Sequence, residues 1–281
     1  MTPRGDAAQR GRYHPEWFNA NYVPARRSAA GRSGAPEFFW REEKRLPSRH
    51  KFDELVQRDE GEVRLAEAAL LFAVDHCRGL KIAPWLNRLD ELGRRVEAQQ
   101  AGTGPEQIDA LRTVLVDEEH FAGDTADYYD SRNSLLNKVL ERRVGIPISL
   151  SVVWLDICDQ LSWPFVGVGL PGHFIVKRMG SDEEMLVDPF NNGRALSRAD
   201  CQRIVNGIHG QNVPLADSLF QASTKKEILV RMLNNLRAIC IGRQAWYEVT
   251  LVLARMLAVV PGTVELDREL TIATANLSKL N

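Results

Sequence analysis

Apolar residues recur at spacings of three and four along most of the chain, and only one central stretch replaces that period with short β-branched and aromatic runs. Residues 52–120 are helical in period. Leu65, Ala68, Ala69, Phe72 and Ala73 predict a helix over residues 63–77. Pro84 opens a second, carrying Leu86, Leu89, Leu92 and Val96. The A-G-T-G-P segment at 101–105 breaks it, and Pro105 opens a third with Ile108, Leu111, Val114 and Leu115. Ser131 is the expected N-cap of a helix running to Arg143. Pro147 suits the first turn of the next, where a missing N–H costs nothing. Ile148, Val152, Leu155 and Cys158 give that helix one apolar face, and Val153, Trp154 and Ile157 extend it almost all round. Such a helix is expected at the centre of a core.

The strand signals follow. Phe165, Val166 and Val168 form a short run bounded by Pro and Gly, residues 173–178 a second and residues 184–188 a third. Residues 179–183 read as a hairpin loop. If Arg178 pairs with Glu183, antiparallel counting sets His173 directly opposite Asp188, with Cβ atoms roughly 4.5–5.5 Å apart. The segment G-V-G-L-P-G at 167–172 matches a dinucleotide fingerprint, but the fingerprint needs a helix next and a strand pattern follows. Its glycines are expected to allow a tight turn beside His173.

Helical periodicity then returns. Ser197 caps a helix through Cys201, Ile204 and Val205. T-K-K-E at 224–227 is a capping box before Ile228, Leu229, Met232, Leu233 and Leu236. Another helix spans residues 244–260, P-G stops it, and a last one begins near Thr263. The order helical, short strands, helical predicts an α+β fold. Its parts are a helical lobe over 51–125, a core with a small antiparallel sheet over 126–210, and a helical lobe over 224–281.

Composition narrows the function classes. The chain has 281 residues, 44% apolar and 26% charged, with a net charge of −1. Those values suit an ordinary globular protein and give no electrostatic case for nucleic acid. The apolar runs fall short of the ~20 residues that span a bilayer, so no membrane partner is expected. No apolar stretch follows the basic N-terminal residues, so no secretory signal is read there. Four cysteines (77, 158, 201 and 240) lie far apart, in neither a disulfide nor a metal pattern. A reducing cytoplasm is the expected location, and no metal or cofactor is expected. Residues 1–50 hold ten Lys and Arg against five Asp and Glu, and read as a disordered basic arm. Nucleic acid is not expected as a partner except through that arm.

The candidate chemistry lies at the end of the expected sheet. His173 and Asp188 would meet there beside the N-terminus of the Pro147 helix. A helix N-terminus, a His and an Asp are the usual setting of a low-pKa thiolate. The stretch from Y-Y-D-S-R-N-S-L-L-N through V-G-I-P-I-S-L and G-H-F to V-D-P resembles the transglutaminase-like superfamily, in particular its SirB-type branch. The resemblance extends over residues 50–281. It implies a papain-like core, tetratricopeptide-like C-terminal helices, and a Cys, His, Asp site. His173 and Asp188 match the family's His and Asp. The family's nucleophile follows a Gly by two residues, as in G-x-C-x-S-L, and this chain has Pro147 at that position. Asn133, Asn137 and Gly172 match positions beside the cleft, although the two asparagines equally suit bonds to loop backbone.

Proline has no nucleophile. Two hydroxyls are close by: Ser149, about 200° round the helix, and Ser151, one turn deeper on the face of Pro147. Two function classes follow. One is a peptide- or protein-binding module that has lost Cys-dependent acyl transfer. The other is a hydrolase or acyltransferase using Ser149 or Ser151 with His173 and Asp188.

Overall fold

The structure, a computed structural model, describes residues 47–180 and 183–279. Nearly all of the basic arm expected over 1–50 lies outside the described residues. The exception is its last four residues, which open helix α1 (Pro47–Val56). Helices α2 (Leu65–Ala73), α3 (Ala83–Glu97) and α4 (Gly104–Arg112) follow. Pro84 and Pro105 fall in the first turns of α3 and α4, where proline removes no hydrogen bond.

The helix expected from Ser131 to Arg143 is two pieces. Asp130, not Ser131, is the cap: its carboxylate accepts from the Arg132 N–H at 2.9 Å. A 3₁₀ turn (Ser131–Ser134) follows, Leu135 is extended, and α5 (Leu136–Arg142) begins after it. Asn133 and Asn137 therefore lie on separate elements, the 3₁₀ turn and α5.

Two short strands, β1 (Ala122–Gly123) and β2 (Val144–Gly145), pair in parallel. Helix α6 (Pro147–Gln160) starts two residues later with proline at its head. Its apolar girdle is buried: Val152, Trp154 and Ile157 are each 2% exposed or less. Burial on that scale contributes roughly 1.5–3 kcal/mol per large side chain.

Strands β3 (Phe165–Leu170), β4 (His173–Arg178), β5 (Met185–Asp188) and β6 (Arg194–Leu196) form an antiparallel meander in that order. The sequence pattern missed β6, because R-A-L is too short to carry a period. It also misplaced the register of β4 and β5. Arg178 sits opposite Met185, not Glu183, and Val176 opposite Val187. The turn is longer by two residues than expected. A slip of two keeps every side chain on its face, whereas a slip of one would invert them all.

Helix α7 (Arg198–His209) is capped by Ser197, and α8 (Lys225–Gly242) by Thr224 in a reciprocal capping box with Glu227. Helices α9 (Trp246–Val259) and α10 (Val264–Ser278) complete the described chain. Helices before and after the sheet in the chain share one core, which runs from Phe52 to Ala273 and includes α6 and the Phe174, Val176 and Val187 face of the sheet. A second, smaller core lies between the opposite face (Val168, Leu170, Ile175, Leu186) and α7. Among the described residues no helix is long and apolar enough to cross a membrane.

Candidate functional site

The ends of α6 fix where a site can lie. Trp163 N–H donates to the Cys158 carbonyl at 2.9 Å, and Met179 N–H to the Pro164 carbonyl at 2.7 Å. The C-terminal end of α6 therefore sits where β3 begins and β4 ends. Its N-terminal end lies at the other end of the sheet, beside the 3₁₀ turn Pro189–Asn191 that follows β5. Gly145, two residues before Pro147, pairs with Gly123. A Cβ on Gly123 would come within 2.6 Å of the Phe190 ring, so only glycine allows that approach.

His173 opens β4 immediately after the two-residue turn Pro171-Gly172, in which Gly172 takes φ +72°. A left-handed residue there favours glycine, and proline before it presets the turn. Asp188 closes β5. The two side chains meet: His173 Nε2 lies 2.8 Å from Asp188 Oδ2, and both are buried, at 4% and 0% exposure. Burial alone would raise the Asp188 carboxyl. The His173 ring, then the side chain and backbone of Asn191, hold it below the usual carboxylate range. The Asn191 amide donates at 2.6 Å, and the Phe190 N–H at 3.0 Å. The Phe190 ring meets the His173 ring edge-on at 6.1 Å.

The other candidates sit as follows. Pro147 is buried at the first position of α6. Ser149 is committed to the cap of that helix: its hydroxyl accepts from the Ile146 N–H and donates to the Ile146 carbonyl, both at 3.1 Å. The Ser151 hydroxyl is fully buried with no hydrogen-bond partner. Neither serine bonds to His173. Asn133 donates to the Asp127 carbonyl at 2.9 Å and to Asp124 at 3.1 Å, and accepts from Arg142 at 2.8 Å. It therefore ties loop backbone together. Asn137 points to Cys77, with its Nδ2 at 3.5 Å from the thiol. Gly172 lies in the turn adjoining His173.

Three of the four cysteines are buried free thiols. Burial pushes the Cys158 thiol well above its ordinary value, Cys201 up to about 12 and Cys240 up to about 11. Such thiols are neutral near pH 7 and inert.

A family model described as the transglutaminase-like superfamily matches residues 83–234, more than half of the chain. The chain belongs to the transglutaminase-like superfamily. A UPF0162 protein of Xylella fastidiosa is 34% identical over 186 residues, covering 65% of this chain and 66% of that protein. A UPF0162 protein of Pseudomonas aeruginosa is 34% identical over 176 residues, covering 62% and 63%. Human F-box only protein 21 is 35% identical over 137 residues, which cover 46% of this chain but 21% of that protein. The chain thus spans just under two thirds of the length of the bacterial relatives. No solved structure matches it.

Within this transglutaminase-like domain, some residues near the dyad carried no sequence signal. Phe190 and Asn191 follow Asp188 in the D-P-F-N-N-G turn but belong to no period. Tyr128 lies edge-on to Phe190 at 6.2 Å, some sixty residues earlier in the chain. Arg231 sits on the α8 pattern like any helical arginine, yet its guanidinium donates to the His173 carbonyl.

Proposed function

We propose that this chain is a transglutaminase-like module of the SirB type that has lost Cys-dependent acyl transfer and binds a peptide or protein segment at the sheet end bearing His173 and Asp188. The observation that carries the reading is Pro147. Aligned without a gap, G-I-P-I-S-L sets proline where the superfamily has its thiol, and proline there serves as a helix initiator. His173 and Asp188 remain a buried, hydrogen-bonded pair, and among the described residues no serine or cysteine side chain hydrogen-bonds to either. The four cysteines stand as free thiols, which suits a cytoplasmic protein. The domain also recurs inside a much longer relative, of which it makes up 21%, and a module carried within larger chains suits a binding role. The C-terminal helices α8 to α10 fit the tetratricopeptide-like part of the same reading.

The serine alternative is weaker. Ser149 is occupied by Ile146, and Ser151 is sealed in the core without a base. A fluorophosphonate probe should leave the protein unlabelled. Labelling that vanishes in Ser149→Ala or Ser151→Ala, and in His173→Ala, would reverse the order of the two readings. The binding role is tested by selecting peptides from a random display library on the wild type. Enriched peptides should lose affinity for Phe190→Ala, and a failure to enrich any would contradict the proposal.

A further inference from the structure

The hairpin that presents His173 is held by α8. Arg231 donates through Nη2 to the Leu170 carbonyl at 2.7 Å and to the His173 carbonyl. Its guanidinium carbon lies 5.4 Å from the centre of the Phe174 ring. A Cβ on Gly169 would stand 2.7 Å from Nη1, so the strand has glycine where the guanidinium lies against it.

What this guanidinium lacks is a counter-ion. Arg64, Arg237 and Arg255 also reach inward, and each holds a carboxylate: Asp156, Glu269 and Asp75. Among the described residues no carboxylate lies within 4 Å of Arg231. Burial pushes its pKa down to about 10. Two carbonyl dipoles offset part of the cost of a desolvated cation, but they supply no opposite charge. Among the described residues Nε and Nη1 make no hydrogen bond, so two faces of this largely buried guanidinium are left without a polar partner.

The surroundings close a circuit. Arg231 bonds the His173 backbone, and the His173 ring meets Phe190 edge-on. Phe190 meets Tyr128 edge-on, and burial pushes the Tyr128 phenol up in pKa while the charge of Arg231 opposes the rise. Tyr129, 46% exposed, extends the aromatic rim outward. The end of the sheet is thus bounded by two aromatic rings, an imidazole and one cation without a counter-ion.

We propose that this ring of residues recognises a peptide carboxylate, with Arg231 as its cation and Tyr128 and Phe190 as the seat of the adjoining apolar or aromatic side chain. The inference rests on the peptide-binding reading above and adds the chemistry of the ligand. A charge-assisted bond from a guanidinium with no counter-ion favours an anion over its neutral isostere. Two sources share this chemistry: a C-terminal carboxylate, and the side chain of an internal Glu or Asp.

The test uses the full chain and three probes followed by ligand-observed NMR. They are N-acetyl-phenylalanine, its amide, and N-acetyl-glutamyl-phenylalaninamide. At least one acid should bind roughly ten- to hundred-fold more tightly than the neutral amide. The preferred acid identifies the source. Arg231→Gln should abolish the preference. Because that change also removes bonds to the hairpin, Tyr128→Ala is the companion variant. It leaves those bonds intact and should weaken all three probes with an unchanged circular dichroism spectrum. Equal binding of acids and amide overturns the carboxylate claim and leaves peptide binding standing. Binding of none of the three overturns both. A preference that persists in folded Arg231→Gln makes Arg231 a structural clamp and overturns the assignment.

Discussion

His173 and Asp188 meet across a diagonal of the sheet. Nε2 and Oδ2 are 2.8 Å apart, yet the ladder puts Val176 opposite Val187, so the two residues stand two positions out of register. The imidazole spans the offset because diagonal neighbours on one face lie within reach of a long side chain. Asp188 also accepts from Phe190 and Asn191, so one buried carboxylate organises both the strand end and the turn after it.

Removing that carboxylate should therefore be costly. Asp188→Ala leaves the His173 ring, two backbone N–H groups and the Asn191 amide without their acceptor. We expect a loss of about 3 kcal/mol in urea unfolding, with Asp188→Asn losing less because it keeps one acceptor oxygen. Equal losses for the two variants would mean that acceptor bonds are not what the carboxylate contributes.

The same group predicts a pH dependence. The folded-state pKa of Asp188 is depressed, so its contribution is complete above the unfolded carboxylate value, near 3.9, and is lost as pH falls through the folded value. Glu184 and Asp200 are held down to about 2 and act in the same direction. The stability gap between wild type and Asp188→Asn should be full at neutral pH and shrink below about pH 4. A gap that widens on acidification would contradict the assignment.

A third prediction concerns Glu119. The buried Glu119 carboxylate receives Arg88 from α3, Arg95 from α3 and Arg143 after α5, and so joins segments far apart in the chain. The arginine bonds hold it below the usual carboxylate range against the effect of burial. Glu119→Gln should cost about 2–3 kcal/mol and weaken the packing of α3 on the α5 turn, as read by hydrogen exchange.

Gly169 and Arg231 should be coupled. Gly169→Ala drives a methyl against Nη1 and should cost roughly 1–3 kcal/mol. In an Arg231→Met background the flexible side chain can yield, so the penalty should largely disappear. A double-mutant cycle with additive losses would show that the close approach is not what requires glycine.

What the sequence made legible depended on local rules. Proline marked the head of α6, Ser197 and Thr224 marked helix starts, and alternation brought His173 and Asp188 to one face. Register was not legible, because it depends on how many residues the 179–184 turn absorbs, and no local rule counts them. The split at Leu135 was hidden because the apolar spacing runs through it. Arg231 was invisible for a different reason. Its meaning lies in a backbone carbonyl 58 residues away and in the absence of a nearby carboxylate among the described residues, neither of which leaves a mark on the α8 pattern.

The central claim is that Pro147 occupies the place of the superfamily's thiol. Pro147→Cys tests it most directly. The change should cost little stability, roughly 0.4–1 kcal/mol, since proline at the first helical position acts mainly through the unfolded chain. A thiolate there is favoured by the helix dipole and by unpaired N–H groups, and by the His173–Asp188 pair at the same end of the sheet. Such settings lower a thiol from ~8.5 into the range of roughly 3.5–7.5. The variant should react with iodoacetamide at about pH 6 faster than a model thiol. Buried Cys158 should remain unmodified as the internal control for unfolding, and adding His173→Ala should slow the reaction. A new thiol that reacts no faster than the model compound, and is indifferent to His173→Ala, would contradict the account.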